Sequence, residues 1–395
     1  MFDFDRVIDR RGTHSTKWDM IKQLSGIDAA DAIPMWVADM DFAAPPGVTK
    51  ALAEDIERAT HGYYADTGTW AASLCEWMQR RHQWTIDPAT ISQTPGIVSG
   101  LGLILQAISE PGDDIVVFPP AYHAFRKIIT ANGRTILDVD LIETNGRYAM
   151  DFDLLRARLT PRTKAVFFCS PHNPGGTIWA VAEIRALAAF CVEHNLVLVS
   201  DEIHCDLLFS GAKHIPTIVA APECADLLIT CVAATKTFNL AGAHAGACIT
   251  TNKALKQKLD AKIAASGLAS YNSFGMIATE AGWRTGDAWL DALLPYLKAN
   301  RDLFDARMEA AVPGARSMRL DSTYLAWVDF SKTGLAHEDV AGRVAKRARL
   351  FVNAGSTFGP GGGTWLRFNF ATPRPVLIEA LDRLDAAFKD VRSNG

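Results

Sequence analysis

The chain has 395 residues, 49% of them hydrophobic and 21% charged, with a formal net charge of −4. That length suits roughly two to three domains around a large core, and the slightly acidic balance excludes nucleic acid as the main partner. Seven cysteines, an odd count without CxxC spacing, speak against a disulfide framework or a metal site of zinc type, so no metal is expected.

Charge begins at Asp3, and no apolar run nears the ~18 residues of a membrane span. The chain therefore reads as having neither secretory signal nor membrane segment, and as cytoplasmic. Residues 1–45, broken by Pro34, Pro45 and Pro46 near their end, read as an N-terminal arm joining the smaller domain. Residues 46–285 read as a large α/β domain and 286–395 as a small C-terminal domain.

In the large region, Ser92-Gln-Thr-Pro-Gly96-Ile97-Val98 is a glycine-containing turn that feeds an apolar helix. First-turn amides and the positive dipole end suit an anion such as phosphate. GxGxxG spacing is missing, so a dinucleotide fingerprint is not supported. The apolar run Ile115 to Phe118 leads to Tyr122, which suits stacking on a flat ring as well as a core or interface position.

Ala165 to Cys169 breaks into Ser170-Pro-His-Asn173-Pro-Gly, and Leu196 to Val199 runs into Ser200-Asp201-Glu-Ile-His204. Short apolar runs between breakers read as strands buried on both faces. Between them, Val181 to His194 carries a helical pattern of Ile184, Leu187, Ala188 and Cys191. Alternating strand and helix implies parallel strands under helical layers, with ligands outside their carboxyl ends. A third apolar run, from Leu227, ends at Thr235-Lys236. A lysine carried by the end of a buried strand sheds its proton more readily and becomes nucleophilic.

Singly, Lys236 also suits a surface cation, Asp201 a helix cap and Asn173 a turn. Together on one sheet edge they suit pyridoxal phosphate, which is held as a lysine Schiff base with an acidic partner on its ring nitrogen. Asn173 can donate to the ring hydroxyl oxygen. Further on, helical patterning from Trp289 to Val312 precedes strands Tyr324 to Phe330 and Trp365 to Phe370 and a final helix, Pro375 to Val391; Gly359 to Gly363 reads as a flexible loop.

The strings Pro171-His-Asn173-Pro-Gly, Ser200-Asp201-Glu-Ile-His204 and Thr235-Lys236-Thr-Phe-Asn-Leu-Ala resemble the fold type I pyridoxal-phosphate enzymes of the aminotransferase class I/II superfamily. Three more strings are most similar to its MalY/PatB branch, the cystathionine β-lyases or C–S lyases. They are Phe2 to Trp18 with Asp9-Arg-Arg-Gly-Thr-His14, Met35-Trp-Val-Ala-Asp39-Met-Asp41-Phe42, and Ser322-Thr-Tyr324-Leu-Ala-Trp327. The resemblance implies an α/β fold: a large domain with a mostly parallel sheet between helices, plus a smaller α+β C-terminal domain.

It further implies Lys236 as the Schiff-base lysine and proton shuttle, Asp201 on the ring nitrogen, and Asn173 and His204 near the ring oxygen. Tyr122 stacks on the ring, while Gly96, Ile97, Val98 and Thr235 stand at the phosphate. Arg367 grips a substrate α-carboxylate, with backbone amides near Ala38 and Asp39 as further candidates. Tyr63 reaches the phosphate of the other subunit, which requires a homodimer. The implied reaction is α,β-elimination of cystathionine or another cysteine S-conjugate to a thiol, pyruvate and ammonia; the alternative is an aminotransferase acting on an L-amino acid.

Several positions depart from the superfamily pattern. His244 stands where many aminotransferases carry a phosphate-binding arginine, and Ala233 where a hydroxyl residue is common. His204 replaces a tyrosine, and Phe351-Val-Asn353-Ala-Gly355 lacks a Pro-Gly pair. None of these touches Lys236, Asp201 or Asn173.

Overall fold

The structure is a computed structural model that describes residues 2–26, 31–65, 67–209, 211 and 213–393. Among these the first half of the chain forms strands β1 (Ile33–Pro34), β2 (Ile91–Thr94), β3 (Asp114–Val117), β4 (Thr135–Asp138), β5 (Ile142–Thr144), β6 (Arg147–Ala149), β7 (Thr163–Cys169) and β8 (Val197–Asp201). The second half adds β9 (Leu228–Val232), β10 (Gly246–Ile249), β11 (Arg316–Ser317), β12 (Leu325–Asp329), β13 (Leu350–Phe351), β14 (Asn353–Ala354) and β15 (Trp365–Asn369).

Seven strands make the main sheet in the order β2-β10-β9-β8-β7-β3-β4. The pairs among β9, β8, β7, β3 and β4 are parallel, and β10 alone runs antiparallel to both neighbours. Successive side chains of a strand point to opposite faces. Accordingly Val166, Phe168 and Leu198 join an apolar cluster with the helix Val181–Glu193, through Ile184, Leu187 and Cys191. Ala165, Phe167, Val197 and Val199 join another with the helices Ile97–Ile108 and Lys253–Ala265. Burying one such Val, Leu or Phe side chain is worth about 1.5–3 kcal/mol, which pins the register of each strand.

A four-stranded antiparallel sheet, β11-β12-β15-β14, lies in the C-terminal part, packed by the helices Asp287–Ala311 and Arg374–Ala387. The arm joins this region directly: β1 pairs in parallel with β13, Ile33 opposite Leu350, and Phe4 packs on Trp289 and Tyr296. The last helix is shorter than its apolar pattern suggests. It stops at Ala387, and a separate turn, Lys389–Ser393, follows the buried Phe388. Lys236 also differs from expectation, since β9 ends at Val232 and the lysine rides a one-turn helix, Ala234–Thr237.

The turn after β8 is anchored by a buried carboxylate. Glu202 is fully buried and accepts from Ser200 Oγ (3.0 Å) and Thr217 N (2.9 Å), and its Oε2 lies 2.8 Å from His214 Nε2. Burial pushes its pKa up, but His214 and Thr217 outweigh that and hold it below the usual carboxylate value. Its contribution to stability is therefore complete above the unfolded pKa and is lost as pH falls through the folded one.

Replacing His214 with alanine leaves the charge without its main partner, and a broken buried pair costs about 3–5 kcal/mol. Burial then dominates, raises the carboxyl pKa and makes the deficit grow with pH. Urea unfolding of His214→Ala at pH 7.5 and pH 5 should show the larger loss at pH 7.5; equal losses would mean that the Glu202 charge is not the cause.

Candidate active site

The chain leaves the carboxyl ends of β2, β3, β7, β8 and β9 at one edge of the main sheet, where a cavity of about 260 Å³ opens. Gly96 leaves β2 with φ +87°, a geometry that favours glycine, and starts the helix Ile97–Ile108. The amides of Ile97, Val98 and Ser99 stand in the first turn, where no intrahelical acceptor exists, and these residues border the cavity. Such a helix start is a seat for an anion. Thr235 lines the cavity too, as does His244, whose Cα would lie 3.9 Å from a Cβ placed on Gly96.

Asp201 ends β8. In register across the sheet it lies between Cys169 of β7 and Cys231 of β9, with Cys248 of β10 beyond. Neutral thiols thus flank the carboxylate, which accepts one hydrogen bond, from Ile203 N at 3.2 Å. Burial raises its pKa to about 7, against the Ile203 amide and the Lys236 charge that favour ionisation. A carboxylate in this setting calls for a cationic N–H.

Lys236 Nζ donates to Ala38 O at 2.6 Å. Burial lowers the pKa of the amine to about 8; Asp39 and Asp201 oppose that, and Arg367 adds to it. The free, nucleophilic amine is therefore far more populated near neutral pH than in an ordinary lysine. The turn that carries it is fixed from below by Asp206, whose Oδ2 accepts from Thr237 Oγ1 at 2.7 Å. Asp206 also takes Trp77 Nε1 (3.2 Å) and lies 2.7 Å from His82 Nε2. With Cys205, His82 and Asp206 form a compact trio of metal-ligand types, but the Asp206 oxygens are already committed to Thr237, Trp77 and His82.

Arg367 is 2% exposed, on β15. Its Nη1 donates to Asn173 Oδ1 (3.0 Å) and Nη2 to Trp36 O (2.8 Å) and Asn353 Oδ1 (2.7 Å), all neutral oxygens. Its Nε is buried with no partner, and the guanidinium lies 4.8 Å over the Phe358 ring. Burial lowers its pKa to about 10. No carboxylate of the described residues pairs with it, which leaves a buried cation suited to a carboxylate from outside.

His204 is likewise buried, with Nδ1 unpartnered; burial, then Lys236 and Arg367, drive its pKa to about 3, so it is neutral. Tyr122 lines the cavity and meets Phe125 and His123 edge to face. Burial raises its phenol pKa.

Of the residues singled out in the sequence, Gly96, Ile97, Val98, Tyr122, Asn173, Asp201, His204, Thr235, Lys236 and Ala38 border this one cavity. Arg367 reaches it through Asn173. Asp39 does not serve as a donor. Its amide bonds Val37 O at 2.8 Å and Arg10 takes its carboxylate, while Ala38 contributes its carbonyl to the lysine rather than an amide. Tyr63 is 96% exposed and stands outside the cavity of its own chain.

The sequence did not single out Trp36 O or Asn239 as partners, and it marked Asn353 only as a departure from pattern. The residues present fit pyridoxal phosphate: an anion seat at a helix start, an amine whose pKa is lowered to about 8, a buried carboxylate with one bond, and unpartnered nitrogens on Arg367 and His204.

Comparison with known proteins gives the same placement. The family model described as aminotransferase class I and II matches residues 31–384. Cystathionine beta-lyase PatB of Bacillus subtilis (strain 168) is 39% identical over 98% of this chain and 99% of its own. Protein MalY of Escherichia coli (strain K12) is 32% identical over 99% of this chain and 100% of its own. Among solved structures, cystalysin from Treponema denticola, which contains a pyridoxal 5'-phosphate cofactor, superposes with TM-score 0.95 at 30% identity, covering 99% of each chain. The protein belongs to the aminotransferase class I and II family.

Proposed function

We propose that the protein is a pyridoxal-phosphate-dependent carbon–sulfur β-lyase that cleaves cystathionine or another cysteine S-conjugate to a thiol, pyruvate and ammonia. The observation that carries the reading is the set of three buried ionisable groups, Asp201, Lys236 and Arg367, none of which is joined by a salt bridge among the described residues. Relatives named as cystathionine beta-lyases favour elimination over transamination.

When bound, pyridoxal phosphate supplies an aldehyde that condenses with amines and a ring that withdraws electrons from the carbon bearing the amine. The chain's own residues do the rest. First-turn amides of the helix Ile97–Ile108 and Thr235 hold the phosphate; Asn173 and Tyr122 orient the ring, and Asp201 keeps a proton on its nitrogen. Arg367 takes the substrate carboxylate in a planar fork. Lys236 Nζ removes the proton from Cα, the Cβ–S bond breaks with its electron pair on sulfur, and the thiolate takes up a proton. The released aminoacrylate hydrolyses to pyruvate and ammonia. Fixed charges in a dry site need no reorganisation as the Cα charge develops.

A two-fold homodimer belongs to this reading, with Tyr63 serving the partner's phosphate site. Its 96% exposure, beside the exposed Phe274 that contacts His61, suits a side chain that acts on another copy. A cytoplasmic location is also part of it, supported by seven cysteines that are all free; no helix among the described residues is long and apolar enough to cross a membrane.

Purified protein given cystathionine without any keto-acid should release pyruvate in proportion to enzyme, and Lys236→Ala should abolish both this and borohydride labelling of the cofactor. Pyruvate that appears only with an added keto-acid would establish the transaminase instead.

Arg367→Lys keeps the charge and loses the fork, so kcat/KM should fall by about 2–3 kcal/mol of transition-state stabilisation. The cofactor spectrum should persist. Unchanged kinetics would move carboxylate binding elsewhere.

Sedimentation should find an active dimer, and Tyr63→Phe should weaken cofactor retention by about 1 kcal/mol, the scale of one hydrogen bond. A fully active monomer would remove Tyr63 from the site.

A further inference from the structure

Two of the strings that set this sequence apart are partners in space. Arg10 Nη1 donates to Asp39 Oδ1 (3.0 Å), Met40 O (2.9 Å) and Asp41 Oδ1 (3.1 Å), and Nη2 to Asp39 Oδ2 (2.9 Å). Lys17, with no exposed surface, donates to Asp39 O (2.9 Å) and Asp41 Oδ2 (2.6 Å). Trp18 Nε1 adds a bond to Asp41 Oδ1 at 2.9 Å. Two cations and two carboxylates balance, so the cluster, buried at Lys17 and Asp41 and partly exposed at Arg10 and Asp39, carries no net charge.

The rest of the segment is held from the other side. Asn239, three residues beyond Lys236, accepts from Met40 N and donates to Met40 O and Phe42 O. Asn369 donates to Val37 O and Asp39 O, and Arg367 to Trp36 O. The carbonyls of residues 36, 37, 39, 40 and 42 are thus each claimed by a side chain, and the Ala38 carbonyl is taken by Lys236 Nζ. Among the described residues, Ala38 O is the acceptor that Lys236 Nζ bonds.

We propose that Arg10, Lys17 and Trp18 are positioning residues for the Lys236 amine. By clasping Asp39 and Asp41 they hold the 38–41 turn so that the Ala38 carbonyl takes one Nζ hydrogen and fixes the nitrogen at the cavity. A free lysine side chain carries about 2 kcal/mol of rotamer entropy, and holding the nucleophile removes part of that cost before reaction. This inference rests on the cofactor reading above. In the step at issue, neutral Nζ attacks the aldehyde carbon, a C=N bond replaces C=O, and one water leaves.

The test strips the cofactor from the full-length protein and measures capture of saturating pyridoxal phosphate by absorbance. Equilibrium binding of pyridoxamine phosphate, which docks but has no aldehyde, is measured in parallel. Arg10→Met should slow capture on the order of tenfold, the scale of a small misplacement of a reacting group, while pyridoxamine phosphate affinity stays within about twofold. Arg10→Lys, which keeps a cation near both carboxylates, should recover most of the rate. Trp18→Phe, which loses one bond, should give a smaller loss in the same direction and serves if Arg10→Met does not fold. Asp9→Asn, on the same segment with its side chain 62% exposed, should match wild type.

Capture at the wild-type rate in Arg10→Met or, failing that variant, in Trp18→Phe would overturn the proposal. So would equal losses for both ligands, which would make the clasp a support of the whole pocket. Wild-type protein that bound neither ligand would overturn the cofactor reading itself, and this inference with it.

Discussion

Three buried ionisable groups meet at one cavity, Asp201 and Lys236 lining it and Arg367 behind Asn173, and no salt bridge among the described residues joins any of them. Burying a charge costs several kcal/mol unless something compensates. The surrounding fold tolerates these groups by answering each with neutral dipoles: one amide on Asp201, one carbonyl on Lys236, three oxygens on Arg367. Partial answers leave each group reactive. Carboxylate–imidazole pairs are kept one layer out, at Glu202 with His214 and at Asp206 with His82, where they fix the turns on which the reactive residues ride.

The arrangement divides labour between the two sheets. The main sheet supplies the carboxylate from the end of β8 and, through the one-turn helix that follows neighbouring β9, the lysine. Arg367 comes from β15 in the other sheet and Asn173 from the loop after β7, and the bond between these two ties the sheets together at the cavity. The segment from Met35 to Phe42 crosses the same seam and is bonded to both sides.

Much of the main sheet could be read from the chain because its strands are short apolar runs ended by breakers. Cys169 gives way to Ser170-Pro171 and Val199 to Ser200-Asp201, so the position of Asn173 and Asp201 at one edge followed from local pattern. Lys236 was found for the same reason, although the final turn of helix beneath it was hidden. The roles of single residues at that edge were supplied by resemblance to a family. Arg10, Lys17 and Asp41 were visible only as unusual letters, because their partners lie 22 to 31 residues away and leave no periodic trace. Glu202 stayed silent as well, since its partner His214 sits on a loop without a pattern. The bond from the Asp39 amide to Val37 O was hidden, because a backbone amide's partner cannot be read from side-chain identity.

The segment from residue 35 to 42 emerges early in synthesis, yet its partners come late. The Ala38 carbonyl bonds a lysine 198 residues further on, and the Trp36 carbonyl an arginine 331 residues further on. Closing loops of that length is paid in chain entropy before any contact rewards it. On a ribosome the segment has the arm alone for company until Lys236 and Asn239 have been made, and its set of partners stays incomplete until β15 follows. A product cut short before Trp365 would retain the lysine, its strand and the helix start below it, and would lack the arginine and asparagine that seat the strap over them. Truncated chains should therefore carry Lys236 in an unfinished cavity, exposed to any aldehyde in the cell.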